Sequence, residues 1–425
     1  MCNVQSFIDL INKEVKPATG CTEPIAIALC VAKAKEVLDE DVEKIELLLS
    51  PNIIKNAMGV GIPGTSQVGI HIAAALGAIV GESKLGLEVL SKVKETHVNQ
   101  ANNIINENRI KIEVADKDCK LYIDATVIGK NNKAHVIIQG GHTDIVFISY
   151  NDDVLMDKLS EVVEVEDYKV AICIDSIYRF VLNTPFDEIK FILEGAIMNK
   201  KIALEGLNKE YGLKVGKTIE KNIQNKLIAD DMKNYAIRLS AAASDARMAG
   251  CPLPVMTNSG SGNQGITATL PVVAVAEWLH KSEEELARAL ILSNLVAIHI
   301  KTNLGKLSAL CGVIVAGIGA GCGMTYLLGG DIHNIKSTIK NMIGDVSGMI
   351  CDGAKTGCAL KVATVVEASF NSTILSLGDI EITKTEGIID ENIETCIKNL
   401  TCIGSKGMEE TDKMILDIMI SKSNK

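Results

Sequence analysis

Near residue 155 the chain changes character. Before that point, short β-rich segments recur, bounded by Gly, Asn, Asp and Lys: IKIEVA, LYIDATVIG, KAHVIIQG and TDIVFISY. After it, strand signals almost vanish, and helical segments follow one another from IDSIYRFVLNT to ATVVEASFNSTILSLG. Strands gathered first and helices later point to an α+β fold. The expected architecture is an N-terminal α+β domain with a mainly antiparallel sheet at 1–155, then a larger all-helical domain at 156–425. A length of 425 residues agrees with two domains.

Within the first domain, residues 5–15 and 24–38 show helical spacing, with Pro24 in a first-turn position. VEKIELLLSP reads as a strand, and the four β-rich segments as an antiparallel meander. GTSQVGIHIAAALGAIVG and SKLGLEVLSKVKETHVNQANNII read as two helices, and LMDKLSEVVEVE as the first helix of the second domain. The chain is 47% hydrophobic but only 3% aromatic, so the core must be built from Ala, Val, Ile and Leu, with glycine where backbones approach. The segment 307–330, LSALCGVIVAGIGAGCGMTYLLGG, is about long enough to span a bilayer. It has no aromatic belt, and a helix buried on all sides inside a helical domain gives the same pattern. The buried helix is the expectation, with no membrane association.

A net charge of −10 with no basic block speaks against nucleic-acid binding, which needs a positive patch. The opening MCNVQSFIDLINKEV lacks the basic start and apolar run of a signal peptide. Twelve cysteines without such a leader suit a reducing cytoplasm, with free thiols. Cys30, Cys119, Cys173, Cys322, Cys396 and Cys402 are expected to be packing residues.

Three constellations carry chemical potential. Cys351 and Cys358 share the turn-rich loop CDGAKTGC, and Cys311 opens the glycine-rich apolar helix. Three thiolates suit three corners of an iron–sulfur cluster. Three separately packed thiols give the same sequence. The close Cys pair of a structural zinc site is absent. The second constellation is TNSGSGNQGITATLP, a glycine-rich loop running into a helix that begins near Ile266. Backbone amides at such a start bind anions, and Ser259, Ser261, Asn263 and Gln264 add donors. A loop crossing between packed helices is the alternative. The third is KPATGCTEP, where Cys21 precedes a helix; the helix start lowers a thiol pKa, making Cys21 a base or nucleophile, or Cys21 is filler beside a Thr22 cap. His299 and Lys306 are weaker base candidates.

KPATGCTEPIAIAL, TNSGSGNQGITATLP, LSALCGVIVAGIGAG and MICDGAKTGCALKVAT, in this order, resemble the L-cysteine desulfidase family (UPF0597), relatives of the iron–sulfur L-serine dehydratases. The resemblance spans nearly the whole chain. It implies a serine-dehydratase-like helical domain and a [4Fe–4S] cluster held by Cys311, Cys351 and Cys358 with one iron open. It further implies an active-site role for Cys21 and a substrate-carboxylate loop at Ser259, Gly260, Ser261, Gly262, Asn263 and Gln264. The implied reaction is β-elimination of L-cysteine to pyruvate, ammonia and sulfide, with L-serine deamination as the alternative and a redox sensor as a distant one. The serine enzymes have a longer gap between the last two ligands and a different segment at the position of GCTEP, which favours cysteine. The substrate is then a small amino acid, and the apolar helical domain makes a homo-oligomer an expectation.

Overall fold

The computed structural model describes residues 4–117, 119–159, 172–305 and 308–423. Six strands form one sheet in the order β3-β2-β4-β5-β6-β7: β2 (Lys44–Leu49), β3 (Ile110–Val114), β4 (Tyr122–Ile128), β5 (Lys133–Gln139), β6 (Ile145–Tyr150) and β7 (Asp153–Asp157). Burial alternates along β2 and β4, so one face is covered. The cover is α2 (Thr22–Leu38), backed by α4 (Ile70–Val80). Both are Ala- and Ile-rich, and nearly every residue of α2 is buried because it lies between the sheet and α4. The short α3 (Pro51–Ala57) follows β2, and α5 (Glu95–Asn106) precedes β3.

Three local expectations are corrected. IKIEVA (β3) is outside the meander and pairs in parallel with β2, because α3 to α5 intervene as a crossover. SKLGLEVLSKVKETHVNQANNII is not one helix: Gly86, at φ +55°, breaks it, and only α5 is α-helical. The start of LMDKLSEVVEVE is not helical but belongs to β7, an edge strand pairing with β6; residues 160–166 lie outside the described residues.

The second region is helical: α6 (Ile174–Asn183), α7 (Phe186–Ile189), α8 (Leu193–Asn208), α9 (Val215–Gln224), α10 (Met232–Met248), α11 (Gly262–Trp278), α12 (Glu283–Leu304), α13 (Gly312–Leu327), α14 (Ile332–Val346), α15 (Cys358–Leu377), α16 (Ile393–Cys402) and α17 (Glu409–Ser423). At its centre α13 packs against α11, α12, α14 and α15. Its glycines make this possible: a Cβ on Gly319 would fall 2.2 Å from the Ser293 carbonyl of α12. Within 307–330, α13 is thus a buried helix, and among the described residues no helix is long and apolar enough to cross a membrane.

Both ends of the chain cross the boundary expected at residue 155. Near the N-terminus, α1 (Val4–Glu14) buries Phe7, Leu10 and Ile11 in the helical core, with Phe7 stacked 4.6 Å from Phe180. Then β1 (Pro17–Thr19) pairs antiparallel with β8 (Pro254–Met256). At the other end, α17 returns to the sheet region, where Leu416 joins its core and Asp412 ion-pairs with the buried Lys55 of α3.

Candidate active site

The β1–β8 pairing sets GCTEP beside the serine–glycine loop. Thr257 N donates to Lys16 O at 2.8 Å, and Ser259 N to Glu14 O at 2.9 Å. Thr22 Oγ1 donates to Gly260 O at 3.2 Å. On the far side, an antiparallel bridge between Leu310 and Ile350 aligns Cys311 with Cys351. Cys311 N donates to Met349 O at 3.0 Å and Cys351 N to Ala309 O at 2.6 Å. The loop 351–357 then folds onto α3, where Gly353 has φ +88° and a Cβ on it would lie 2.1 Å from the Lys55 carbonyl. No other residue type fits there.

Between these walls lies a cavity of about 110 Å³, far smaller than the ~300–1,000 Å³ of drug-sized pockets. It is sized for a small metabolite. Its lining includes Cys21, Gly260, Ser261, Asn263, Gln264, Cys311 and Cys351, so the three sequence constellations meet in one place. Ser259, Gly262 and Cys358 do not line it. Ser259 Oγ donates instead to Asn258 Oδ1 at 2.9 Å. Cys358, the first residue of α15, packs against Cys21, Val60 and Met248, with its Sγ 3.7 Å from Gly353 O. Asp352 pairs with Lys355 and Lys361, which closes the cysteine loop.

Three helices start at the cavity wall: α2 after Cys21, α11 after Ser261 and α13 after Cys311. Their unpaired first-turn amides give the site a positive bias. The start of α11 at Gly262 corrects the expectation of Ile266. It places Asn263 and Gln264 in the first turn, with Ser261 Oγ accepting from Gln264 N at 3.4 Å. The loop's side-chain donors are mostly committed inward: Asn263 Nδ2 points to Met248 Sδ at 3.4 Å and Gln264 Nε2 to Asn258 O at 3.3 Å.

Cys21 behaves differently from expectation. It is the N-cap of α2, but its thiol is fully buried and donates to Glu23 Oε2 at 3.0 Å. Burial, reinforced by the Glu23 charge, pushes its pKa up, against the lowering effect of the Arg247 charge. Glu23, an acid whose place beside Cys21 in sequence already opposes a lowered thiol pKa, is the acceptor of that bond. Its carboxylate also accepts from Thr22 Oγ1 and Asn56 Nδ2, each at 3.1 Å.

The thiol wall has its own electrostatics. The Cys311 thiol donates to Cys351; that bond holds Cys351 down to about 6 against the opposing effect of burial, and Lys55 and Lys361 assist. The same bond, with burial, pushes Cys311 up. Lys301 of α12 lines the cavity and is new relative to the sequence reading. Burial pushes its ammonium down to about 8, opposed by Cys351 and Cys311. Its side chain makes no hydrogen bond or ion pair among the described residues. His299, two residues earlier, is satisfied by Glu394 Oε2 at 2.7 Å and does not line the cavity. Lys306 lies outside the described residues.

As a donor set, three thiols near lysine ammonium groups match what a multi-iron sulfur cluster requires. Among the described residues, no three His, Cys, Asp or Glu side chains close around a single ion. A lone zinc ion, with sulfurs at about 2.3 Å, needs such closure, whereas a cluster of several irons spans a wider gap. Of the expected packing cysteines, Cys30, Cys322 and Cys396 are buried and Cys119 and Cys173 half-buried, but Cys402 is exposed at the end of α16.

Residues 84–417 match the family model of the serine dehydratase alpha chain. A UPF0597 protein of Oleidesulfovibrio alaskensis is 48% identical over 423 residues, covering 98% of both chains. One from Bacteroides thetaiotaomicron is 50% identical over 420 residues, and one from Clostridium perfringens 48% over 419, each again covering 98% of both chains. With thiol pair, serine–glycine loop and GCTEP segment gathered at one cavity, and with relatives this similar end to end, the chain belongs to the UPF0597 family of serine dehydratase-like proteins.

Proposed function

We propose that the protein is a lyase that eliminates the β-substituent of L-cysteine, giving pyruvate, ammonia and sulfide. The observation that carries this reading is the meeting of Cys311 and Cys351 with Cys21 and the 260–264 loop around one small cavity. Cys311, Cys351 and Cys358 would hold a [4Fe–4S] cluster. When bound, such a cluster supplies an open iron as a Lewis acid toward the sulfur leaving group.

The chain's own residues do the rest. Lys301, beside Cys311 and Cys351, balances thiolate charge in a buried setting. The Cys21–Glu23 pair forms a relay for the Cα proton: as Cys21 Sγ takes the proton from Cα, its own proton moves to Glu23 Oε2 along their 3.0 Å bond, so that no isolated thiolate, which burial disfavours, has to form. Loss of sulfide leaves aminoacrylate, which tautomerises to an imine and takes up one water to release ammonia and pyruvate.

The match to the serine dehydratase alpha chain favours a second reading, L-serine deamination at the same site. Anaerobic reconstitution with iron and sulfide, followed by product analysis with each amino acid, separates the two. Sulfide from L-cysteine at higher kcat/KM than pyruvate from L-serine is expected. Turnover of serine alone, or of neither, would overturn the cysteine assignment.

A further inference from the structure

Arg247 closes α10 and lines the cavity, yet it is only 3% exposed. Its side chain makes no hydrogen bond or ion pair among the described residues, and its buried Nε has no acceptor. Glu23 lines the same cavity, but its carboxylate is taken up by Cys21, Thr22 and Asn56. A buried guanidinium with no hydrogen-bonded acceptor is costly to keep. Such a group persists where a ligand supplies the missing anion.

The position of Arg247 says which anion. A Cβ on Gly262 would lie 2.1 Å from Arg247 Nε, so the guanidinium lies against the first residue of α11. There the amides of Gly262 and Asn263 open the helix and have no intrahelical acceptor. A planar fork beside a helix start matches a carboxylate, bound by paired N–H groups from the arginine and single ones from the backbone. The hydroxyl and amide side chains of the loop, expected to do this work, are largely spent on their neighbours.

We propose that Arg247, with the first-turn amides of α11, binds the α-carboxylate of the amino-acid substrate. The inference rests on the amino-acid reading given above. It divides the cavity into a carboxylate end at Arg247 and a sulfur end at Cys311 and Cys351, with Cys21 and Glu23 beside the carbon that joins them.

The test uses the full chain and two unreactive probes, L-alanine and L-alaninamide, with affinity read by calorimetry. The wild type should prefer the carboxylate by about 30-fold or more, the loss typical when a buried charge is left unpaired. Arg247→Gln should abolish that preference, and Arg247→Lys should restore part of it. Arg247→Gln should also raise the melting temperature of the ligand-free protein, because it removes an uncompensated charge. A preference unchanged in Arg247→Gln, or a lower melting temperature in that variant, would overturn the assignment. If the preference depends on Arg247 but neither cysteine nor serine is turned over, the anion site stands and the lyase reading fails. If sulfide is released and Arg247→Gln keeps the wild-type KM, the reverse holds.

Discussion

Two arginines on α10 live in different surroundings. Arg238, toward the middle of the helix, has its Nη1 2.6 Å from Glu220 and its guanidinium 5.0 Å from the centre of the Tyr235 ring. Both leave a buried Nε without an acceptor, but Arg247, at the end, has no ion pair among the described residues. The contrast repeats on α12, where His299 is held by Glu394 and Lys301 by no partner among the described residues. Paired charges tie elements of the frame together. The unpaired ones both line the cavity, so the molecule keeps its uncommitted charge where a ligand arrives.

The largest effect should come from the thiol wall. Cys351→Ser should lower iron retained after anaerobic reconstitution and cut turnover by more than the roughly 10–100-fold that outer partners of a metal site cost. Unchanged iron content would remove Cys351 from the ligand set. Next is Lys55, a paired cation that itself lines the cavity. Lys55→Met leaves Asp412 without its buried partner and should cost about 3 kcal/mol in urea unfolding, chiefly by loosening α17. The unpaired cation should respond in the opposite direction: Lys301→Met is expected to gain about 1–2 kcal/mol of stability while lowering turnover. A loss there would mean that Lys301 is paired after all, and the contrast would collapse.

Asp245 extends the comparison to an acid. It sits two residues before Arg247, accepts from Gly216 N at 3.1 Å, and burial raises its carboxyl to about 6 from 3.8. A raised carboxyl pKa means that the folded state binds the proton more tightly. Its stabilising share is complete below about pH 4 and is lost as pH rises through about 6. The wild type should therefore lose about 2 kcal/mol relative to Asp245→Asn between pH 4 and pH 7, read as a difference of unfolding free energies. The smallest effect is reserved for Arg238→Met, at under about 1 kcal/mol, the usual worth of an ion pair near the surface.

Much of this was legible in the sequence. The split between strand and helix regions shows in composition, because strands and helices draw on different residue patterns. The cysteines and the serine–glycine loop were readable as motifs, and glycine in CDGAKTGC marks the close approach to α3. Arg247 and Lys301 were not legible. In sequence they are ordinary charged residues on helices, and only tertiary packing decides whether a charge has a partner. Cys21 failed for the same reason: its helix start was visible, its complete burial was not. The parallel pairing of β3 escaped notice because neighbouring strands in sequence suggest hairpins, and the crossover through α3 to α5 overrides that.

The crossing of the two chain ends has a consequence for how the protein comes into being. The strand that pairs with β8 spans Pro17–Thr19, whereas the helix carrying Asp412 spans Glu409–Ser423. The cavity is therefore enclosed only once segments from both sides of residue 155 have docked. A gene fragment encoding either half alone would yield a body with an open seam where its partner strand or closing helix belongs.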